Sequence, residues 1–60
     1  MKIHTKILVA LSEYPSQYQY METIQVLVKI KNTDKFIRAC QDLECGGQIS
    51  RVGNRIRINQ

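Results

Sequence analysis

Our prediction of the fold rests mainly on the stretch Asn32–Gln60, which reads NTDKFIRACQDLECGGQISRVGNRIRINQ. Its first part has apolar residues at helical spacing, and the glycine pair at 46–47 ends that spacing. The remainder alternates between polar and apolar residues, as a β-ribbon does. The stretch therefore predicts a helix followed at once by a hairpin.

The predicted helix runs from Thr33 to Cys45. Asn32 or Thr33 can serve as its N-cap, and Asp34 suits the positive end of the helix dipole. Gly46 is expected to end it in the left-handed conformation that glycine adopts easily. The apolar face is predicted to consist of Phe36, Ile37, Cys40 and Leu43.

The hairpin is predicted to pair Gln48–Val52 with Arg55–Asn59 across Gly53-Asn54, since glycine at the first loop position suits a type II′ turn. The expected cross-strand pairs are Val52 with Arg55, Ser50 with Arg57, and Ile49 with Ile58. The face directed at the helices should carry Ile49, Ile56 and Ile58. The opposite face should carry Ser50, Arg55 and Arg57. Arg51 should share the isoleucine face, near the tip and beyond the core.

The N-terminal part predicts a further helix, from Ile3 to Glu13. Its apolar positions have the spacing of one helical face and a flank, and they are Ile3, Ile7, Leu8 and Leu11. Thr5 or the chain end could start this helix. Pro15 cannot continue it, and it biases Tyr14 away from helical geometry.

The segment Gln17–Tyr20 reads Gln-Tyr-Gln-Tyr, an alternation that predicts a short extended segment. Tyr18 and Tyr20 then share one face. Such a pair can stack on nucleic-acid bases. More often its rings pack on a small core or at a sheet edge and leave the hydroxyl groups in water.

The most apolar run predicts the middle helix, from Met21 to about Val28. Met21, Ile24 and Leu27 have helical spacing, although the β-branched residues make a buried strand the main alternative. Residues 29–32 should form a turn with Ile30 directed inward. The chain is thus expected to be an α+β protein with a C-terminal hairpin and a possible short strand between its first two helices.

Length and charge limit the function. A chain of 60 residues forms one small domain, 1–60, with little room for an enclosed catalytic pocket. The net charge of +4 favours an anionic partner, although it also aids solubility. His4 is the only histidine, and no Ser or Cys lies in a nucleophile motif, so we expect no enzymatic activity and no cofactor.

Neither a membrane nor a metal site is predicted. The apolar run Ile7–Leu11 is far shorter than the roughly 20 residues that a span needs. No signal-peptide pattern is present, so we expect a cytoplasmic protein. Cys40 and Cys45 are too far apart on one helix for a disulfide, and with His4 they leave a zinc site short of ligands. Two reduced thiols, with Cys40 in the core, are the expectation.

The order helix, short strand, helix, turn, helix, hairpin resembles the winged helix-turn-helix family over residues 3–59. The segments that carry the resemblance are ILVALSEY at 7–14, TIQVLVKIKN at 23–32, FIRACQDLECGGQI at 36–49 and RIRI at 55–58. The chain departs from many members at Gln25, where a small residue is common, and at Lys29, where glycine is common.

The resemblance implies double-stranded DNA binding, as in a transcriptional or small phage or prophage regulator. The third helix would enter the major groove and the hairpin, or wing, would contact phosphates or the minor groove. The implied DNA-binding residues are Lys29, Lys31, Thr33, Lys35, Arg38, Gln41, Arg51, Arg55 and Arg57.

The alternative is a protein-interaction module on the same scaffold. The third helix also carries Asp34, Asp42 and Glu44, and this mixed charge suits a host or regulatory protein as partner. A homodimer is compatible with either function, because the core is thin and one edge of the hairpin is free.

Overall fold

The computed structural model describes residues 2–59, which form three helices and a three-stranded antiparallel sheet. The elements are α1 (Ile3–Ser12), β1 (Gln19–Tyr20), α2 (Met21–Leu27), α3 (Thr33–Cys45), β2 (Ile49–Val52) and β3 (Arg55–Ile58). The strand order is β1-β3-β2, so β3 is central. The predicted α+β class is confirmed, and the short strand that was only possible from the sequence joins the hairpin as its third strand.

Helix α1 begins at Ile3, as predicted, so of the two proposed starts the one near the chain end is confirmed and the one at Thr5 is wrong. Lys2 is the N-cap, and its carbonyl accepts the first helical bond from Lys6 N–H at 3.0 Å. The helix ends at Ser12, one residue before the predicted end. Among residues 2–59, no helix combines the length and the apolar character needed to cross a bilayer.

Strand β1 is shorter than the predicted extended segment at its N-terminal end, because Gln17 still belongs to the preceding turn, in which its N–H donates to Tyr14 O at 3.2 Å. Gln19 pairs with Ile56 and Tyr20 pairs with Arg55. The N–H of Met21 then donates to the carbonyl of Asn54 at 2.8 Å, which fixes the start of α2 to the hairpin turn.

Helix α2 confirms the helical prediction over the strand alternative. It ends in a Schellman motif, in which the N–H of Ile30 donates to Gln25 O at 3.2 Å and the N–H of Lys29 donates to Val26 O at 3.1 Å. Lys29 occupies the left-handed position of this motif, with φ 58°. Ile30 packs partly against the core, as predicted.

Helix α3 has the predicted bounds, and Asn32 is its N-cap. The Asn32 side chain accepts a hydrogen bond from Lys35 N–H at 3.1 Å. One core position differs from the prediction: Ile37 remains 39% exposed, whereas Ala39 is buried. The buried stripe of α3 therefore consists of Phe36, Ala39, Cys40 and Leu43, and Ile37 lies at its border.

The end of α3 corrects the assignment of Gly46. This residue has φ −79°, an ordinary helical value, and Gly47 takes the left-handed conformation with φ 77°. The N–H of Gln48 donates to Leu43 O, and that of Gly47 to Glu44 O, both at 3.0 Å. The helix thus ends in a second Schellman motif whose left-handed residue is the second glycine.

The hairpin has the predicted register, with Val52 opposite Arg55, Ser50 opposite Arg57 and Ile49 opposite Ile58. Gly53 has φ 63° and Asn54 does not have a positive φ, as the predicted type II′ turn requires. The inner face of the sheet packs on α1 and α3. Its outer face points away from the helices.

The core lies between the helices and the inner sheet face. It consists of Ile7, Leu11, Ile24, Phe36, Ala39, Cys40, Leu43, Ile49 and Ile56. Cys40 is buried as predicted, and desolvation raises the pKa of its thiol from 9.0 to about 11. The thiol therefore stays protonated at neutral pH, whereas Cys45 is exposed.

Candidate nucleic-acid interface

The charges of α3 are separated along the helix. Near its C-terminal end, Asp42 Oδ2 lies 3.1 Å from His4 Nε2 of α1. Glu44 Oε1 accepts a hydrogen bond from Arg51 Nε at 3.1 Å. These two carboxylates thus face α1 and the hairpin rather than the cations of their own helix.

The cations of α3 lie in its N-terminal half and on its outward side. Within residues 2–59, Lys35 and Arg38 have no carboxylate oxygen within 4.0 Å. Asp34 shares a shallow surface depression with both but forms no ion pair with either. The outward residues predicted to read DNA are all exposed, and they are Thr33, Lys35, Arg38 and Gln41.

The turn before α3 adds two further cations. Lys29 and Lys31 are exposed and line one shallow groove with Gln25, Val26 and Ile30. The turn leads directly into α3 at Thr33, so we group its two lysines with the outward residues of α3 as one basic surface. We call it the helix surface, and it comprises Lys29, Lys31, Thr33, Lys35, Arg38 and Gln41.

Gln25 fixes the turn beneath the helix surface. Its Nε2 donates to the carbonyl of Ile30 and to Thr33 Oγ1, both at 3.1 Å. The sequence showed that Gln25 replaces a small residue, but the partners of its amide depend on the turn conformation. Gln25 is thus a positioning residue that the sequence prediction missed.

The arginines of the hairpin fall on two faces. Arg51 lies on the inner face near the tip, where Nε contacts Glu44 and Nη1 donates to the carbonyl of Gly53 at 2.9 Å. Arg55 and Arg57 lie on the outer face, because they alternate with the buried Ile56. The nine predicted residues therefore do not form one continuous site.

The outer face of the sheet also carries the two tyrosines of the β1 region. The guanidinium carbon of Arg57 lies 4.8 Å from the centroid of the Tyr18 ring, and that of Arg55 lies 5.8 Å from the Tyr20 ring. Tyr20 is 54% exposed. The rings lie at the sheet edge, as one prediction had it, but on the side away from the core. We call Tyr18, Tyr20, Arg55 and Arg57 the sheet surface.

The pairing of tyrosines with arginines had a sequence signal that the prediction did not use. Gln-Tyr-Gln-Tyr and Arg-Ile-Arg-Ile alternate with the same period, so strand pairing sets the rings beside the arginines. The pairing itself needs the contact between residues about 35 positions apart, which no local pattern specifies.

The comparisons and the search for metal ligands each gave a negative result. Among residues 2–59, no three side chains of His, Cys, Asp or Glu are grouped so that they could hold a metal ion. Comparisons with models of protein families, with curated proteins and with solved structures return no match to this chain.

Proposed function

We propose that this chain is a winged helix-turn-helix protein that binds double-stranded DNA through the helix surface. Two features of the fold support the proposal: the order helix, strand, helix, helix, strand, strand, and the placement of β1 beside β3. The observation that carries it is the separation of charge on α3, which leaves Lys35 and Arg38 without acidic partners in the described chain.

The dimensions of α3 suit the major groove. It has 13 residues and a free outward side, so it spans about 20 Å at 1.5 Å per residue. Arg38 can donate two hydrogen bonds to a guanine, and Gln41 can pair with an adenine. Lys29 and Lys31 are placed to contact phosphates beside the groove.

The hairpin contributes to this duplex surface through Arg51. Its bond to Glu44 holds it on the side of the hairpin that faces α3. Arg55 and Arg57, which the resemblance assigned to phosphates, point the other way and add only long-range attraction. Sequence-selective binding by Arg38 and Gln41 would make the protein a regulator of transcription.

A titration of labelled duplex DNA at several salt concentrations tests this function. Affinity should fall with salt, and Lys31→Ala should reduce the slope of log K against log salt by about one, the effect of one phosphate contact. Arg38→Ala should cost about 1–3 kcal/mol on the preferred sequence and relax its preference.

Lys6→Ala is the matched control, because it removes one exposed cation from α1 rather than from the helix surface. Its salt slope should remain that of the wild type. Equal losses in Lys6→Ala and Lys31→Ala would mean that net charge alone attracts DNA, and the proposal would then be wrong.

A protein partner is the second candidate, and exposed aliphatic side chains favour it. Val9 is 51% exposed and Leu27 is 52% exposed, and both line a shallow groove between α1 and α2. Sedimentation equilibrium, with Leu27→Ser as the variant, tests self-association through this groove. A concentration-independent monomer mass for the wild type would exclude the homodimer.

A further inference from the structure

The sheet surface combines flat rings with cations in a regular array. Tyr18 and Tyr20 are two residues apart and therefore lie about 7 Å apart along the sheet. Arg57 and Arg55 have the same separation on the neighbouring strand, and each guanidinium lies over one ring. The array thus consists of two neighbouring pairs, each made of one ring and one cation.

We propose that the sheet surface binds single-stranded DNA, with the two tyrosine rings stacking on successive bases and the two arginines contacting the phosphates between and beside those bases. This function uses a different face from the duplex site. It adds to double-strand binding and does not depend on the helix surface.

One side of the array is open to a base. β1 is an edge strand with β3 on one side, and no strand of residues 2–59 lies on its other side. Tyr20 is more than half exposed even though Arg55 lies over its ring. More than half of the Tyr20 side chain is thus accessible to a base while the arginine stays in place.

The composition of the face favours anionic ligands over cationic ones. The outward side chains of the three strands and Tyr18 include no acid, and they are Tyr18, Tyr20, Ser50, Val52, Arg55 and Arg57. Ser50 donates to Asn59 Oδ1 at 2.5 Å and is thereby turned toward the chain end. Two cations with no acidic neighbour on the face match a phosphate backbone.

Stacking distinguishes a single strand from other anions. In a duplex the base faces are covered by neighbouring bases, so the rings would find only phosphates and groove edges. An acidic peptide would form ion pairs with the arginines and would have no group to stack on the tyrosine rings. An unpaired strand uses both components of the surface, because every base has a face to stack and a phosphate beside it.

The choice of DNA over RNA rests on the proposed duplex function, since an unpaired strand of the same nucleic acid lies next to any opened duplex. The stacking itself does not depend on that choice. Oligo(dT) and oligo(rU) of about 12 nucleotides are suitable paired probes, because that length exceeds the two-base footprint and lies within known site sizes.

Intrinsic tyrosine fluorescence gives a direct readout. The chain has no tryptophan and three tyrosines, of which Tyr14 lies outside the sheet surface. In a Tyr14→Phe background, all tyrosine emission comes from Tyr18 and Tyr20. Oligo(dT) at low salt should quench that emission if bases stack on the rings.

The affinity variants separate stacking from charge. Tyr20→Leu should weaken oligo(dT) binding about 5- to 150-fold, the range for one base stack, and Tyr20→Phe should retain it. Tyr14→Leu is the matched control and should bind like the wild type. Unquenched emission, or an unchanged affinity in Tyr20→Leu beside a loss in Arg55→Ala, would overturn the proposal.

Two further comparisons keep the two functions apart. Arg38→Ala should lose duplex preference and keep oligo(dT) affinity, whereas Tyr20→Leu should do the reverse. Loss of both activities in Tyr20→Leu with native unfolding behaviour would contradict a separate sheet site. Tighter binding of oligo(rU) than of oligo(dT) would overturn the assignment to DNA.

Discussion

The helix surface and the sheet surface are both basic, but the neighbours of their cations differ. On the helix surface, Lys35 and Arg38 stand without acidic or aromatic partners in the described chain, while Asp42 and Glu44 are bound to other elements. On the sheet surface each arginine lies over a tyrosine ring. The two basic surfaces thus differ in the chemistry around their cations, and we propose different nucleic-acid ligands for them.

This difference shows why the charge of the whole chain is a weak guide to its ligand. A formal charge of +4 predicts attraction to any polyanion. Which part of the polyanion is contacted depends on what lies within a few ångströms of each cation. A variant that loses binding at one surface and keeps it at the other would therefore show that the two surfaces bind separate ligands.

The substitution with the largest expected effect, Ile56→Ala, should disrupt both surfaces together by destabilising the fold. Ile56 is fully buried and lies between the two outward arginines of β3. Ile56→Ala should cost about 2–5 kcal/mol of unfolding free energy, which is a large part of the stability of so small a domain. Urea unfolding followed by circular dichroism measures the loss.

Val52→Ala is the matched control for Ile56→Ala, because it truncates a branched side chain of the same hairpin that is 54% exposed. Its unfolding free energy should stay within about 0.5 kcal/mol of the wild type. Similar costs for the two variants would mean that the sheet does not pack on the helices through Ile56. The two surfaces would then not share one core.

The sequence predicted the elements well because each is encoded locally. The bounds of α3, the register of the hairpin and the type II′ turn follow from spacing, caps and one glycine. The wrong assignment of Gly46 has a local cause too, since two adjacent glycines can each take the left-handed position. Only the hydrogen bonds from Gly47 and Gln48 show which one does.

The candidate sites were less predictable because they depend on contacts between distant residues. The sequence identified the cations but not their partners. Asp42 meets His4 across 38 positions, and this contact directs one carboxylate of α3 toward α1 rather than toward the cations of its own helix. The rings over Arg55 and Arg57 likewise depend on the pairing of β1 with β3.

A smaller effect should separate the two surfaces. Gln25→Ala removes both hydrogen bonds that fix the turn, at a cost of about 1–2 kcal/mol. Duplex affinity should fall because Lys29 and Lys31 lose their fixed positions, while oligo(dT) affinity stays unchanged. Parallel anisotropy titrations with both probes measure the difference.

Gln48→Ala serves as the control for Gln25→Ala, since Gln48 is exposed and its side chain makes no hydrogen bond in the described residues. It should alter neither stability nor binding. If Gln25→Ala weakened duplex and oligo(dT) binding equally, the turn and the sheet would form one cooperative site. The helix surface and the sheet surface would then not bind independently.

The smallest effect concerns the two helix ends that share the Schellman motif. The left-handed residue at the end of α3 is Gly47, whereas that at the end of α2 is Lys29. The left-handed conformation strains the backbone of lysine but not that of glycine. Lys29→Gly should therefore gain up to about 1 kcal/mol of unfolding free energy, less what the more flexible unfolded chain offsets. It should also lower the duplex salt slope by about one, because a phosphate contact is lost.

Lys31→Gly gives the decisive contrast, because Lys31 has no positive φ. It loses the same charge without relief of strain, so its unfolding free energy should fall while its salt slope changes as in Lys29→Gly. If the two variants change the unfolding free energy in opposite directions and the salt slope equally, then Lys29 strains the backbone and also supplies a cation to the helix surface. Equal changes in unfolding free energy would mean that the left-handed conformation of Lys29 causes no strain. An unchanged salt slope in both variants would mean that the turn does not contact the duplex.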